Sequence, residues 1–103
     1  MKTLRVIPGV CGLETILTAE SEDGSEVTLK AESACGAVRK LIESLEQPLD
    51  AYEICFVKPG QGPVYEAASC LSHAACPVPC AVIKCIEAEC GLALQKDVSM
   101  KFE

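Results

Sequence analysis

The chain has no tryptophan, only four aromatic residues (Tyr52, Phe56, Tyr65 and Phe102) and a single histidine, His73. Four scattered aromatics do not make a base-stacking platform or an aromatic ligand cage. Bases are scarce as well: 9 Lys and Arg stand against 15 Asp and Glu, for a net charge of −6. With no Lys/Arg cluster, such a surface repels phosphate backbones. Nucleic acid is therefore excluded as the main partner, and a basic protein is the partner that charge would favour. Long apolar runs are missing too. The longest stretch without a charge, Ala67 to Ile83, is 17 residues of mostly Ala, Ser, Cys and Pro. It is too short and too weakly apolar for a membrane span of about 20 residues, so no membrane role is expected. No Cys-x-x-Cys occurs, which removes the usual zinc-ribbon and thioredoxin patterns.

What is abundant is cysteine. Eight thiols occur in 103 residues: Cys11, Cys35, Cys55, Cys70, Cys76, Cys80, Cys85 and Cys90. The length suits one domain spanning residues 1–103, and with half of the residues hydrophobic a core can be buried without disulfide staples. Met1 to Gly9 lacks the apolar stretch of an export signal, and Arg5 interrupts what apolar run there is. A cytoplasmic location with reduced thiols is the expectation. The cysteines are then small buried hydrophobes, metal ligands or reactive sulfurs.

Hydrophobic periodicity gives the element order βββαβααβ. Residues 3–8 alternate as a strand that Pro8-Gly9 ends. Leu13, Thr15, Leu17 and Ala19 share one face of a second strand, and Val27, Leu29 and Ala31 one face of a third. Between them Ser21-Glu22-Asp23-Gly24-Ser25 is a hairpin turn. Val38, Leu41, Ile42 and Leu45 then fall at helical spacing, with Ser33 as N-cap and Pro48 beyond the end. Residues 52–57 suggest a buried strand, 64–74 and 78–90 two helices, and Val98, Met100 and Phe102 a last strand. The expected architecture is α+β: a two-layer sandwich with a mostly antiparallel sheet and about three helices on one face.

The densest chemical signal is the run from Cys70 through His73 and Cys76 to Cys80. Thiolates and imidazole are the ligands that zinc and iron–sulfur clusters prefer. The spacing C-x2-H-x2-C-x3-C echoes the ferredoxin cluster run, with His in place of the second Cys and Pro after the third rather than the fourth. If 64–74 is a helix, Cys70 and His73 are neighbours on it. Cys76 would cap the next helix, with Pro77 and Pro79 in its first turn, where missing N–H groups cost nothing. Thiols at helix N-termini are generally drawn towards the thiolate, which suits a ligand or a nucleophile. Cys35 lies in the first turn of the earlier helix. Cys11 shares the parity of Leu13 and Leu17, so it should face the core side.

Each of these three begins an element, and element ends meet along one rim of a two-layer fold. Cys11, Cys35 and Cys76 are therefore expected to converge on a metal ion or iron–sulfur cluster, with His73 or Cys70 as fourth ligand. Cys55, Cys85 and Cys90 lie in core patterns and read as packing residues; Cys80 is ambiguous. A Cys–His catalytic pair would lack an obvious orienting acid, so the reading leans away from an enzyme. Gly60-Gln61-Gly62-Pro63 lacks the Lys-Ser/Thr of a phosphate loop, and Glu20, Glu22, Asp23 and Glu26 form a solvated hairpin edge.

Two resemblances arise from these motifs. Cys76-Pro77-Val78-Pro79 leading into a helix, then Gly91, resembles the CPxP motif of TusA-like sulfur carriers over residues 76–102. That resemblance implies a persulfide on Cys76, relayed to partner proteins, as the alternative to metal binding. The whole chain is also similar to a small cysteine-rich family of anaerobic prokaryotes without an assigned function. The residues that carry this are Cys11-Gly12, Ser33-Ala34-Cys35, His73 to Pro79, and Gly91 to Leu94 ahead of Asp97-Val98-Ser99. A third reading has no site, with every thiol only packing. A homodimer through an exposed strand, 3–8 or 96–102, remains open.

Overall fold

In a computed structural model describing residues 1–103, three strands open the chain: β1 (Lys2–Val6), β2 (Thr15–Glu20) and β3 (Glu26–Ser33). They pair antiparallel, Leu4 opposite Leu17 and Leu17 opposite Ala31. A two-residue strand β4 (Leu49–Asp50) completes the sheet on the far side of β3, in the order β1-β2-β3-β4. The period-two pattern works as expected from Thr15 onward. Thr15, Leu17, Ala19, Val27 and Leu29 are buried. The opposite face shows Thr3, Arg5, Thr28 and Lys30 to water. A sheet dry on one side only needs one layer of helices, so the molecule is a two-layer α+β fold.

Helix α1 (Gly36–Ser44) buries Val38, Leu41 and Ile42, and Leu45 at its C-cap is buried as well. Its N-cap is Cys35 rather than Ser33. The Ser33 hydroxyl instead accepts from the Cys35 amide and shares a 2.7 Å hydrogen bond with the Thr15 hydroxyl. Helix α4 (Val78–Glu89) buries Val82, Cys85 and Ile86 against β1 and β2. Gly91, at a φ of 70°, ends it. The Leu92 amide donates to the Glu87 carbonyl there, and Leu92 packs against the core, a Schellman-type stop.

Between α1 and α4 the chain departs from the periodicity reading. Residues 52–57 are not a strand. Helix α2 (Ala51–Cys55) begins there because the Asp50 carboxylate accepts from the Tyr52 and Glu53 amides. Ala51 and Ile54 then face inward at helical spacing, while Tyr52 and Phe56 stack on each other outside. The expected helix over 64–74 is a short α3 (Pro63–Ala67) followed by a 3-10 turn, Ala68–Cys70. Val64 is its one buried residue. One anchor cannot hold three turns down. Residues 96–102 pair with nothing, and Val98, Met100 and Phe102 are exposed. No helix is long and apolar enough to cross a membrane.

Candidate functional site: a rim of thiols at two helix N-termini

The end of β1, the start of β2 and the end of β3 lie side by side, because Val6 pairs with Thr15 and Thr15 with Ser33. Helix α1 starts from that edge. Helix α4 points its N-terminus the same way, since its other end is tied to the opposite edge. There the Glu89 carboxylate accepts from the Ser21 amide at 2.9 Å and pairs with the Met1 ammonium at 3.1 Å. The positive ends of both helix dipoles thus face one rim.

Four thiols stand in the segments that meet there. Cys35 is half-buried at the α1 N-cap. Cys70, exposed at the end of the 3-10 turn, donates its S–H to the Ala37 carbonyl at 3.4 Å and so lies over the first turn of α1. Cys76 is half-buried one residue before the α4 N-cap, which is Pro77. The expected places shift by one: Pro77 caps and Pro79 is N2, because the first helical bond runs from the Ala81 amide to the Pro77 carbonyl at 3.0 Å, and not from Cys80 to Cys76. Cys11 is in the loop of residues 7–14, exposed rather than turned to the core. Strand β2 begins at Thr15, and the Gly12 amide closes a turn onto the Gly9 carbonyl, so strand parity does not extend back to Cys11.

His73 is exposed in the loop after Leu71, not on a helix with Cys70. Its carbonyl accepts from the Cys76 amide at 3.2 Å. Ser72 to Ala75 are all exposed, so the charge-free stretch is partly an uncharged surface beside Cys76. No three Cys, His, Asp or Glu side chains stand close enough together to hold one metal ion. The rim brings Cys35 and Cys70 to the same helix turn and joins His73 to Cys76 through the backbone. It does not close them, or Cys11, into a single shell.

The remaining thiols differ. Cys85 is buried, its S–H directed at the Lys2 and Leu17 carbonyls, and burial pushes its pKa up. Burial, with the charges of Glu87 and Cys90 adding, pushes the Cys55 thiol up to about 12. Cys90 is raised by burial, against the help of the Ser21 hydroxyl. These three behave as the packing residues their positions suggested. Cys80 is exposed in the first turn of α4 and borders a cleft of about 240 Å³ with Cys55, Lys58, Tyr65 and Lys84.

A groove of about 670 Å³ between the end of α1, α2 and α3 carries Glu46, Asp50, Glu53 and Glu66. The sequence held a trace of this groove: no base occurs between Lys40 and Lys58. No curated protein and no solved structure matches the chain. A family model does match it over residues 2–102, so the chain belongs to DUF6951, a family of unknown function.

Proposed function

We propose that the protein handles sulfur through the Cys76 thiol, as a carrier or redox thiol protein of the cytoplasm. The observation that carries this reading is the seat of Cys76. It is half-buried directly before α4, at the edge of an exposed loop with no charge. Pro77 and Pro79 have no N–H, so Val78 and Cys80 are the donors left in the first turn. An anionic sulfur there meets free amides and the positive end of a 12-residue helix. The reaction needs one thiol only. The Cys76 thiolate attacks the outer sulfur of a donor persulfide R–S–SH. The donor S–S bond breaks, R–S⁻ leaves, and Cys76–S–SH forms. The exposed loop leaves Cys76 open to a partner, and the net charge of −6 suits a basic one.

The test is to treat the reduced protein with inorganic polysulfide and locate the added sulfur by peptide mass. Cys76 is expected to gain one sulfur atom, and Cys76→Ser to abolish most of the gain while Cys70→Ser and Cys80→Ser retain it. Sulfur spread evenly over Cys11, Cys70 and Cys80 would sink the reading.

A second reading is favoured by the shared rim. Cys11, Cys35 and Cys76, with His73 or Cys70, would hold zinc or an iron–sulfur cluster if the loops 7–14 and 71–76 closed on each other. Protein purified without oxygen and assayed for iron, zinc and acid-labile sulfide decides it. Stoichiometric metal that is lost in Cys11→Ser as well as Cys76→Ser favours a shared site. A colourless, metal-free protein that also fails to reconstitute removes that reading.

A further inference from the structure

We infer that residues 97–102 add as an extra strand to the free edge of β1 in a second copy of the chain, giving a reciprocal dimer. This stands apart from the sulfur chemistry. Strand β1 pairs on one side only, with β2, so a row of backbone groups on its other side lacks a strand partner. At that edge the helix layer also stops short: Leu4 packs on the core yet is only half-buried.

The missing half is present in the same chain. Every residue from Ala93 to Glu103 is exposed. The backbone amides beyond Ala93 make no backbone hydrogen bond. Val98, Met100 and Phe102 recur every second residue, 68%, 89% and 108% exposed, between Ser99, Lys101 and Glu103. In an extended strand the three apolar side chains share one face. Laid on β1, that face would cover Leu4 and the flank of α4, and Ser99 and Lys101 would join Thr3 and Arg5 on the wet side.

The five residues Val98–Phe102 match the five of β1. Lys96 and Lys101 balance Asp97 and Glu103, so the segment brings no net charge to the edge. Because each chain carries both an open edge and a strand that fits it, two copies satisfy each other through a closed two-fold exchange.

The experiment is sedimentation of the full chain over a range of concentrations, beside the double variant Ser99→Pro/Lys101→Pro. Successive N–H groups of a strand point to opposite sides, so the companion variant Val98→Pro/Met100→Pro covers the other register and one of the two pairs removes the N–H groups that the ladder needs; the segment makes no backbone hydrogen bond in its own subunit, so the variants fold normally. The wild type is expected as a dimer and at least one of the two variants at half that mass with an unchanged monomer melting curve. A wild-type monomer overturns the inference. If the prolines then lower the melting temperature, the segment belongs to its own β1 edge instead. Two variants that both stay dimeric also overturn it, placing the dimer contact elsewhere.

Discussion

Cysteine has one chemistry in this chain and two environments. Burial holds Cys55, Cys85 and Cys90 in the neutral thiol form, with Glu87 adding to the effect at Cys55 and Glu89 at Cys85 and Cys90. Cys11, Cys70 and Cys80 are exposed. The separation has a consequence in alkali. The unfolded Cys55 thiol ionises around 9.0 and the folded one at about 12. Below 9.0 both states keep the proton and stability is whole. As pH rises towards 12 the unfolded chain alone loses it, and stability falls. Urea midpoints measured on both sides of pH 9 are expected to drop for the wild type and to drop less for Cys55→Ala. The sequence marked these three thiols as packing residues from their places in apolar patterns, and did so for Cys55 on a wrong element. Cys11 was misplaced because its parity was counted from Leu13, two residues before the strand starts. Side-chain alternation says which face a residue takes only while the strand lasts.

At the scale of elements, what could be read was set by length and by the number of anchors. Strands β2 and β3 and helices α1 and α4 each repeat a buried position at least twice, β1 follows half-buried Leu4 with buried Val6, and all five were legible in the sequence. Helix α2 has only five residues, and Tyr52, Ile54, Phe56 and Val57 carry strand propensity. The cap from Asp50 overrode it, a contact that propensity does not register. The segment 97–102 fails in the opposite sense: it alternates like a strand, but alternation makes a strand only when a neighbouring edge accepts it.

Another feature invisible to periodicity is Gln47. Its side chain accepts from the Leu29 amide and donates to the Leu29 carbonyl, both at 2.8 Å, so it acts as a one-residue strand beside β3. Helix α1 is thereby pinned, past its own end, to the sheet it covers. Gln47→Ala should cost about 1–2 kcal/mol, the worth of two such bonds at a half-buried edge. The exposed Glu46→Ala, as control, should stay within about 0.5 kcal/mol of wild type in the same urea titration.

The whole molecule is oriented by one carboxylate. Glu89 closes α4 at its negative end, where an acid is ordinarily unfavourable. Its side chain, 7% exposed, joins three distant parts of the chain: α4, the Met1 ammonium and the Ser21 amide that opens the hairpin. This tie fastens the C-terminal end of α4 to the edge opposite the one from which α1 starts. Burial works to raise the Glu89 pKa. The Ser21 N–H, the Met1 ammonium and the charge of Lys2 together outweigh it, and the net shift is downward from 4.5. A depressed carboxylate gives its stabilisation in full above the unfolded value and loses it as pH falls through the folded one. Glu89→Gln keeps an oxygen for Ser21 but gives up the charge. Its melting temperature should therefore lie below the wild type at pH 7, and the gap should close as the pH is lowered past about 4.5. A gap that persisted unchanged into acid would mean that the shape of the side chain, and not the charge of Glu89, holds the end of α4 in place.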